Sequence, residues 1–175
     1  MNLRQILEKA TENLSLSIDL TEPNSENALL ISCGNGIISQ LVEEYIDVKK
    51  VETVISVDKK IPYAELKESV KNVYAIKANG KSVRFHEYAD HIAVDKDATY
   101  EITYSYVLGE KGLDDVIVIP PKYTVNILAV GVAGEYAYRK GFLEEGRELR
   151  TRYLIALKNL EKTAKSVRLK EVNYG

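Results

Sequence analysis

Asn79-Gly80 does most to narrow what this chain can fold into. Both central residues of a type I′ turn take positive φ, which Asn and Gly tolerate best, so the dipeptide between alternating runs predicts a two-residue β-hairpin. Pairing Ala78 with Lys81 sets Ile76 opposite Val83 and Tyr74 opposite Phe85, and puts Lys77 with Ser82 and Ala75 with Arg84 on the other face. One face is then wholly apolar, an outcome that a slip of one residue destroys.

A period of two continues on both sides of the hairpin. Val51, Thr53, Ile55 and Val57 alternate with Glu52, Val54, Ser56 and Asp58, which predicts a strand ending at Lys59 and Lys60. Tyr100, Ile102, Tyr104 and Tyr106 share one face of a second strand, with Glu101, Thr103 and Ser105 on the other. Setting Ile92 opposite Ile102 and Val94 opposite Tyr100 pairs this strand with residues 91–94 across a turn at residues 95–99. After a polar connection at 109–115, the run Val116, Ile117, Val118, Ile119 completes an antiparallel β meander expected over residues 50–119.

The flanks read with helical spacing. Leu3, Ile6, Leu7, Ala10 and Leu14 predict a short amphipathic helix. Ser25 can cap a second, whose Leu29, Leu30, Cys33, Ile37, Leu41, Val42 and Tyr45 share one broad face. Gly34 and Gly36 inside it each cost about 1 kcal/mol against alanine, so they call for a closely packed neighbour or a loop. Past Pro120-Pro121, residues 123–139 are apolar nearly all round and predict a buried helix. Gly131 and Gly134 are its packing positions, open to close backbone approach, and Gly141 is its cap. A last helix over 143–163 turns Gly146, Leu149, Tyr153, Ala156, Leu157 and Leu160 inward, leaving a tail at 166–175 in which 167–172 is extended or a final strand. The fold class is α+β in a single domain: a helical N-terminus (1–46), the central antiparallel meander with its Asn-Gly hairpin, and a C-terminal helical hairpin (122–165). A length of 175 residues suits one domain.

Charge and ligand counts remove several functions. A formal net charge of -2 gives no global case for wrapping nucleic acid or coating an anionic membrane. Cys33 alone cannot form an internal disulfide, and His86 and His91 are too few imidazoles for a tetrahedral zinc site. No stretch approaches the roughly 18 apolar residues of a membrane span, and residues 1–4 do not open a signal peptide, so no membrane contact is expected. Twelve Tyr against two Phe and no Trp suit a thin sheet or a subunit interface, since the ring buries while the hydroxyl tolerates water.

One string has an enzyme-like form. Ala28 to Gly36 can be read as a strand running into a glycine turn, which resembles the cofactor loop of class I methyltransferases, with Asp58 as the ribose ligand. Ile119-Pro120-Pro121-Lys122-Tyr123 faintly echoes the catalytic tetrapeptide of amino-methyltransferases. Against this, Ser32 stands where an acidic residue belongs, the third glycine is missing, Ile119 replaces the Asn or Asp, and the segment from 58 to 120 reads as hairpins. Helix with small residues at a packing contact is the preferred reading, with no cofactor and no catalytic residue. Cys33 with His86 or His91 reads as a buried, inert thiol rather than a nucleophile and base.

Electrostatically the C-terminal third stands apart. From Arg139 to Glu171 there are ten basic and five acidic residues, an excess of five, which leaves -7 for the remainder of a chain whose total is -2. Arg147, Arg150, Lys158 and Lys162 are the candidate interface residues on the outer face of the last helix. That face is either simply solvated or meets an acidic protein or a nucleic-acid backbone.

The order of elements resembles the head-tail adaptor (neck or connector) proteins of tailed bacteriophages and prophages. The resemblance is carried by the small-residue helix Leu128-Ala-Val-Gly-Val-Ala-Gly-Glu-Tyr-Ala-Tyr, then Gly141-Phe-Leu-Glu-Glu-Gly and a charged helix, and covers about residues 25–165. Gly146 stands where the family usually has alanine, and Gly34 and Gly36 are atypical. The resemblance implies a virion structural protein, a non-enzymatic subunit of a homo-oligomeric ring between portal and tail or neck proteins, with possible passing contact with DNA in the channel. It also implies location in the virion, and in the host cytoplasm during assembly. An unrelated protein-binding module and a methyltransferase-like protein are the alternatives.

Overall fold

The computed structural model describes the backbone of residues 1–171 and the side chains of residues 1–161. Its helices are α1 (Leu3–Asn13), α2 (Ser25–Glu44), α3 (Val125–Arg139) and α4 (Leu143–Glu171). Its strands are β1 (Lys49–Ile55), β2 (Lys60–Pro62), β3 (Val70–Ala78), β4 (Lys81–Ser82), β5 (Phe85–Glu87), β6 (His91–Val94) and β7 (Thr99–Tyr106). The α+β class holds. The chain forms two compact units, one of Met1–Ile38 with Glu110–Gly175 and the other of Ser39–Gly109, so the first division falls within α2.

In the helical unit, Asn2 and Gln5 cap α1 reciprocally: Asn2 Oδ1 accepts from Gln5 N at 3.0 Å and Gln5 Oε1 accepts from Asn2 N at 3.1 Å. Leu3, Ile6, Leu7 and Ala10 are buried at helical spacing. Gly34 has the reason its position required. A Cβ there would stand 2.7 Å from Leu3 Cδ1 and 2.9 Å from Leu7 Cδ2, so the glycine admits α1, whereas Gly36 faces open space. Thr124 caps α3, which is buried on several sides and packs against both α1 and α4. Gly141 turns the chain at φ 87°, with Phe142 N donating to Ala137 O at 2.9 Å. The helix that follows runs on to Glu171, so residues 167–171 are helical where a tail or strand was expected. Good helix formers such as Lys165, Arg168, Leu169 and Lys170 continue it. Residues 172–175 lie outside the described residues.

In the β unit every strand pair is antiparallel, in a four-stranded sheet of order β1-β7-β3-β4 and a three-stranded sheet of order β2-β6-β5. The Asn79-Gly80 turn forms as read, with φ 50° and 75°, pairing Ala78 with Lys81 and Lys77 with Ser82, and Val83 N donates to Ile76 O at 2.9 Å. There the hairpin ends. Phe85 pairs with Val94 in the other sheet instead of facing Tyr74. The pairing expected between 91–94 and 100–106 is also replaced: β6 lies between β2 and β5, while β7 lies between β1 and β3, where Ile102 faces Ile76 and Glu52. Ile92, Val94, Tyr100 and Ile102 nevertheless bury in one core with Val54, Ile61, Leu66, Ile76 and Tyr104. Alternation sets which face is apolar, but says nothing of which strand lies alongside.

Residues 116–119 are not a strand of either sheet. Val116 makes an isolated bridge with Asn2 and Ile117 N donates to Met1 O at 3.0 Å, so this segment runs beside the start of α1.

Candidate interaction surfaces

The α3–α4 contact is built around three glycines. A Cβ on Gly134 would meet Arg150 N at 3.0 Å, and one on Gly146 would meet Tyr138 N at 3.0 Å and Gly134 O at 3.1 Å. The two backbones therefore touch at Gly134 and Gly146. One turn before Gly134, Gly131 lies under the Tyr153 ring, at 3.1 Å from an added Cβ. Leu149, Tyr153 and Leu157 complete the buried stripe of α4. The packing roles expected of Gly131 and Gly134 are present, and Gly146 supplies the third member.

With one side of α4 closed, its charges are forced outward. Arg147 and Lys158, eleven residues apart, fall on one line about 16 Å long, with Arg150 to its side. All three are exposed. Arg147 makes a loose, exposed pair with Glu144 at 3.7 Å. Among the described residues, Arg150, Arg152 and Lys158 have no ion-pair partner. Ile155, 53% exposed, adds an apolar group to the same surface. The side chain of Lys162 lies outside the described residues.

Five of the twelve tyrosines are buried in the cores. Tyr100, Tyr104, Tyr123, Tyr136 and Tyr153 are among the largest fully buried side chains, while Tyr74 and Tyr88 are exposed. Three of these rings donate from their hydroxyls: Tyr100 to Lys96 O at 2.7 Å, Tyr104 to Glu52 at 2.7 Å and Tyr136 to Glu26 at 2.5 Å. Burial and the neighbouring carboxylates push the Tyr104 and Tyr136 hydroxyls well above the usual phenol range. Tyr74 donates to Asp47 at 2.6 Å and lies under Lys49 Nζ, and Lys71 Nζ caps the end of α2 through Val42 O and Glu43 O.

Ala28 to Gly36 lies inside α2, where its backbone N–H groups are spent on helical bonds, so the strand and glycine turn of the cofactor-loop resemblance do not form. Asp58 sits in a tight turn at φ 52°. Cys33 is fully buried, and desolvation pushes its thiol up to about 11, which disfavours the thiolate. His91 bonds Asp90 at 2.7 Å and stacks on Tyr88. No group of metal-binding side chains is assembled among the described residues, and none of their helices is long and apolar enough to cross a membrane.

Two exposed apolar runs were not singled out from the sequence. Along β1 and the two residues after it, Val54 and Ser56 are buried, while Val51, Ile55 and Val57 face outward at 57%, 65% and 64% exposure. Val116 and Val118 are 70% and 65% exposed. The signal was present in Val51, Ile55 and Val57, which make the outward face of that alternation more apolar than the inward one. No protein-family model matches the chain, and comparison with curated proteins gives no match.

Proposed function

We propose that this chain is a structural subunit of the head-tail connector of a tailed bacteriophage or prophage, one copy of a ring that joins portal to tail. The observation that carries this reading is the α3–α4 hairpin. The residues on which the family resemblance rests, 128–138 and 141–146, form a glycine-crossed helical pair beside whose contact Arg147, Arg150 and Lys158 stand exposed. A rigid pair of helices holds those charges in fixed register, and an acidic neighbour can then be met by several subunits at once. In this role the chain positions other proteins and performs no reaction, and DNA passes the ring as a transient contact.

Mixing the chain with its cognate portal at low and high salt, and imaging the product, tests the proposal. A ring layer on the portal is expected at low salt. It should weaken as salt shortens the reach of exposed charges to a few ångströms, about 3 Å at 1 M. The triple variant Arg147→Glu, Arg150→Glu, Lys158→Glu should lose it. Failure to associate with portal, tail or itself at any salt would overturn the reading and leave a binding module of another kind.

A further inference from the structure

Two Asn-Gly dipeptides occur in this chain, Asn35-Gly36 and Asn79-Gly80. The peptide nitrogen that follows an asparagine can attack that residue's own side-chain amide, and glycine presents the nitrogen with no Cβ to crowd it. Neither glycine is hemmed in, since a Cβ on Gly36 or Gly80 would meet nothing within 4 Å. Room around the nucleophile therefore does not separate the two sites. What separates them is how firmly each asparagine is held.

Asn35 is held from both ends of its amide. Its Nδ2 donates to Lys111 O at 3.1 Å and its Oδ1 accepts from Lys111 N at 2.8 Å, while the Gly36 nitrogen lies within α2 and donates along the helix. Asn24, whose successor Ser25 is also small, is occupied as well, its Oδ1 accepting from Asn27 N at 2.8 Å. Asn79 is exposed at the tip of the β3–β4 hairpin, and among the described residues nothing bonds its side-chain amide or the Gly80 N–H. The attack needs this turn to open, because a closed type I′ turn fixes the torsions on both sides of Asn79. Little resists the opening. The turn is closed by the Ala78–Lys81 and Lys77–Ser82 pairs and the Val83–Ile76 bond, after which the chain leaves for the other sheet. Short ends of this kind open at far lower cost than the interior of a packed helix.

We propose that Asn79 is a site of spontaneous covalent modification. Gly80 N gives up its proton and bonds to Asn79 Cγ, and the Cγ–Nδ2 bond breaks with ammonia as the leaving group, which takes that proton. Water then opens the cyclic imide at either of its carbonyl carbons, its hydroxyl going to carbon and its hydrogen to nitrogen. Nothing is oxidised or reduced. Opening at Cγ leaves aspartate, and opening at the backbone carbonyl leaves isoaspartate, in which the main chain runs through the β-carbon. Either product adds a negative charge between Lys77 and Lys81. Aspartate still accepts positive φ, whereas isoaspartate lengthens a two-residue turn by one backbone atom and breaks its register.

The full chain, kept folded in warm, mildly alkaline buffer and sampled over weeks, tests this when each digest is read by fragmentation that resolves asparagine, aspartate and isoaspartate. A parallel sample in urea removes the structure and leaves the sequence. In urea Asn35 and Asn79 should convert at similar rates. In the folded chain Asn79 should keep converting, with a more acidic species growing on ion exchange, while Asn35 falls behind it by roughly tenfold or more. Asn79→Asp should form no acidic species over the interval in which the parent does. The isolated isoaspartyl form should melt below the parent, and one as stable as the parent would overturn the predicted loss of register. Protection of Asn79 as strong as that of Asn35 in the folded chain, or an early acidic species that maps to another asparagine, would overturn the site itself.

Discussion

Gly134 and Gly146 meet across two helices at a separation that leaves no room for a methyl group, since the atoms in the way are backbone. Gly146→Ala, the residue expected by resemblance at that position, should therefore cost about 1–3 kcal/mol through overpacking. Gly36→Ala has open space around its Cβ and should stabilise by about 0.5–1 kcal/mol. Urea midpoints of the two variants check both signs. Glu26 offers a pH test, because the Tyr136 hydroxyl, followed by Lys140, holds its carboxyl below the usual range. A depressed folded-state value adds stability above the unfolded value, near 4.3, and that stability drains away as pH falls through the folded value. Asp47, held down chiefly by Tyr74, and Asp114, held down by Arg4, contribute in the same sense. Tyr136→Phe should accordingly be less stable than the parent at neutral pH, with the gap narrowing below about pH 4. A gap that is constant with pH would show that the hydroxyl–carboxylate bond is not its source. The role of Gly134 was legible because only small residues permit close helices. The reason for Gly146 was not, because a helix pattern does not say where two backbones touch.

At the scale of elements, the Asn-Gly turn and the periodicities of the helices and strands are local properties, and local properties are what a sequence displays. Gly80 sits at φ 75° with nothing near its Cβ, so Gly80→Ala should cost about 1–2 kcal/mol by backbone strain alone. Thermal unfolding measures that cost, and a variant as stable as the parent would place the turn in another conformation. Strand partners behave differently. Ile92 and Ile102 were rightly placed on buried faces, but their partners, Ile61 and Ile76, are chosen by how two sheets close over one core. That choice depends on contacts distant in sequence and leaves no trace in the period. The outward side of β1 was hidden for the same reason, since alternation marks two faces without saying which one is covered.

For the molecule as a whole, the excess of five positive charges at the C-terminal end against -7 elsewhere makes the chain electrically polar. Chains that present unlike surfaces associate head to tail, and a fixed rotation between neighbours gives a closed ring. The tyrosine count, which first suggested an interface, is explained in part by the cores, where five of the twelve are buried. The case for assembly rests also on the exposed charges of α4. Native mass spectrometry of the chain, alone over a range of concentrations and mixed with its cognate portal, tests the central claim most directly. The account predicts a single dominant complex with a fixed number of copies, formed by the chain alone or on the portal and lost in the Arg147→Glu, Arg150→Glu, Lys158→Glu variant. A spectrum showing only monomer in both samples would contradict it.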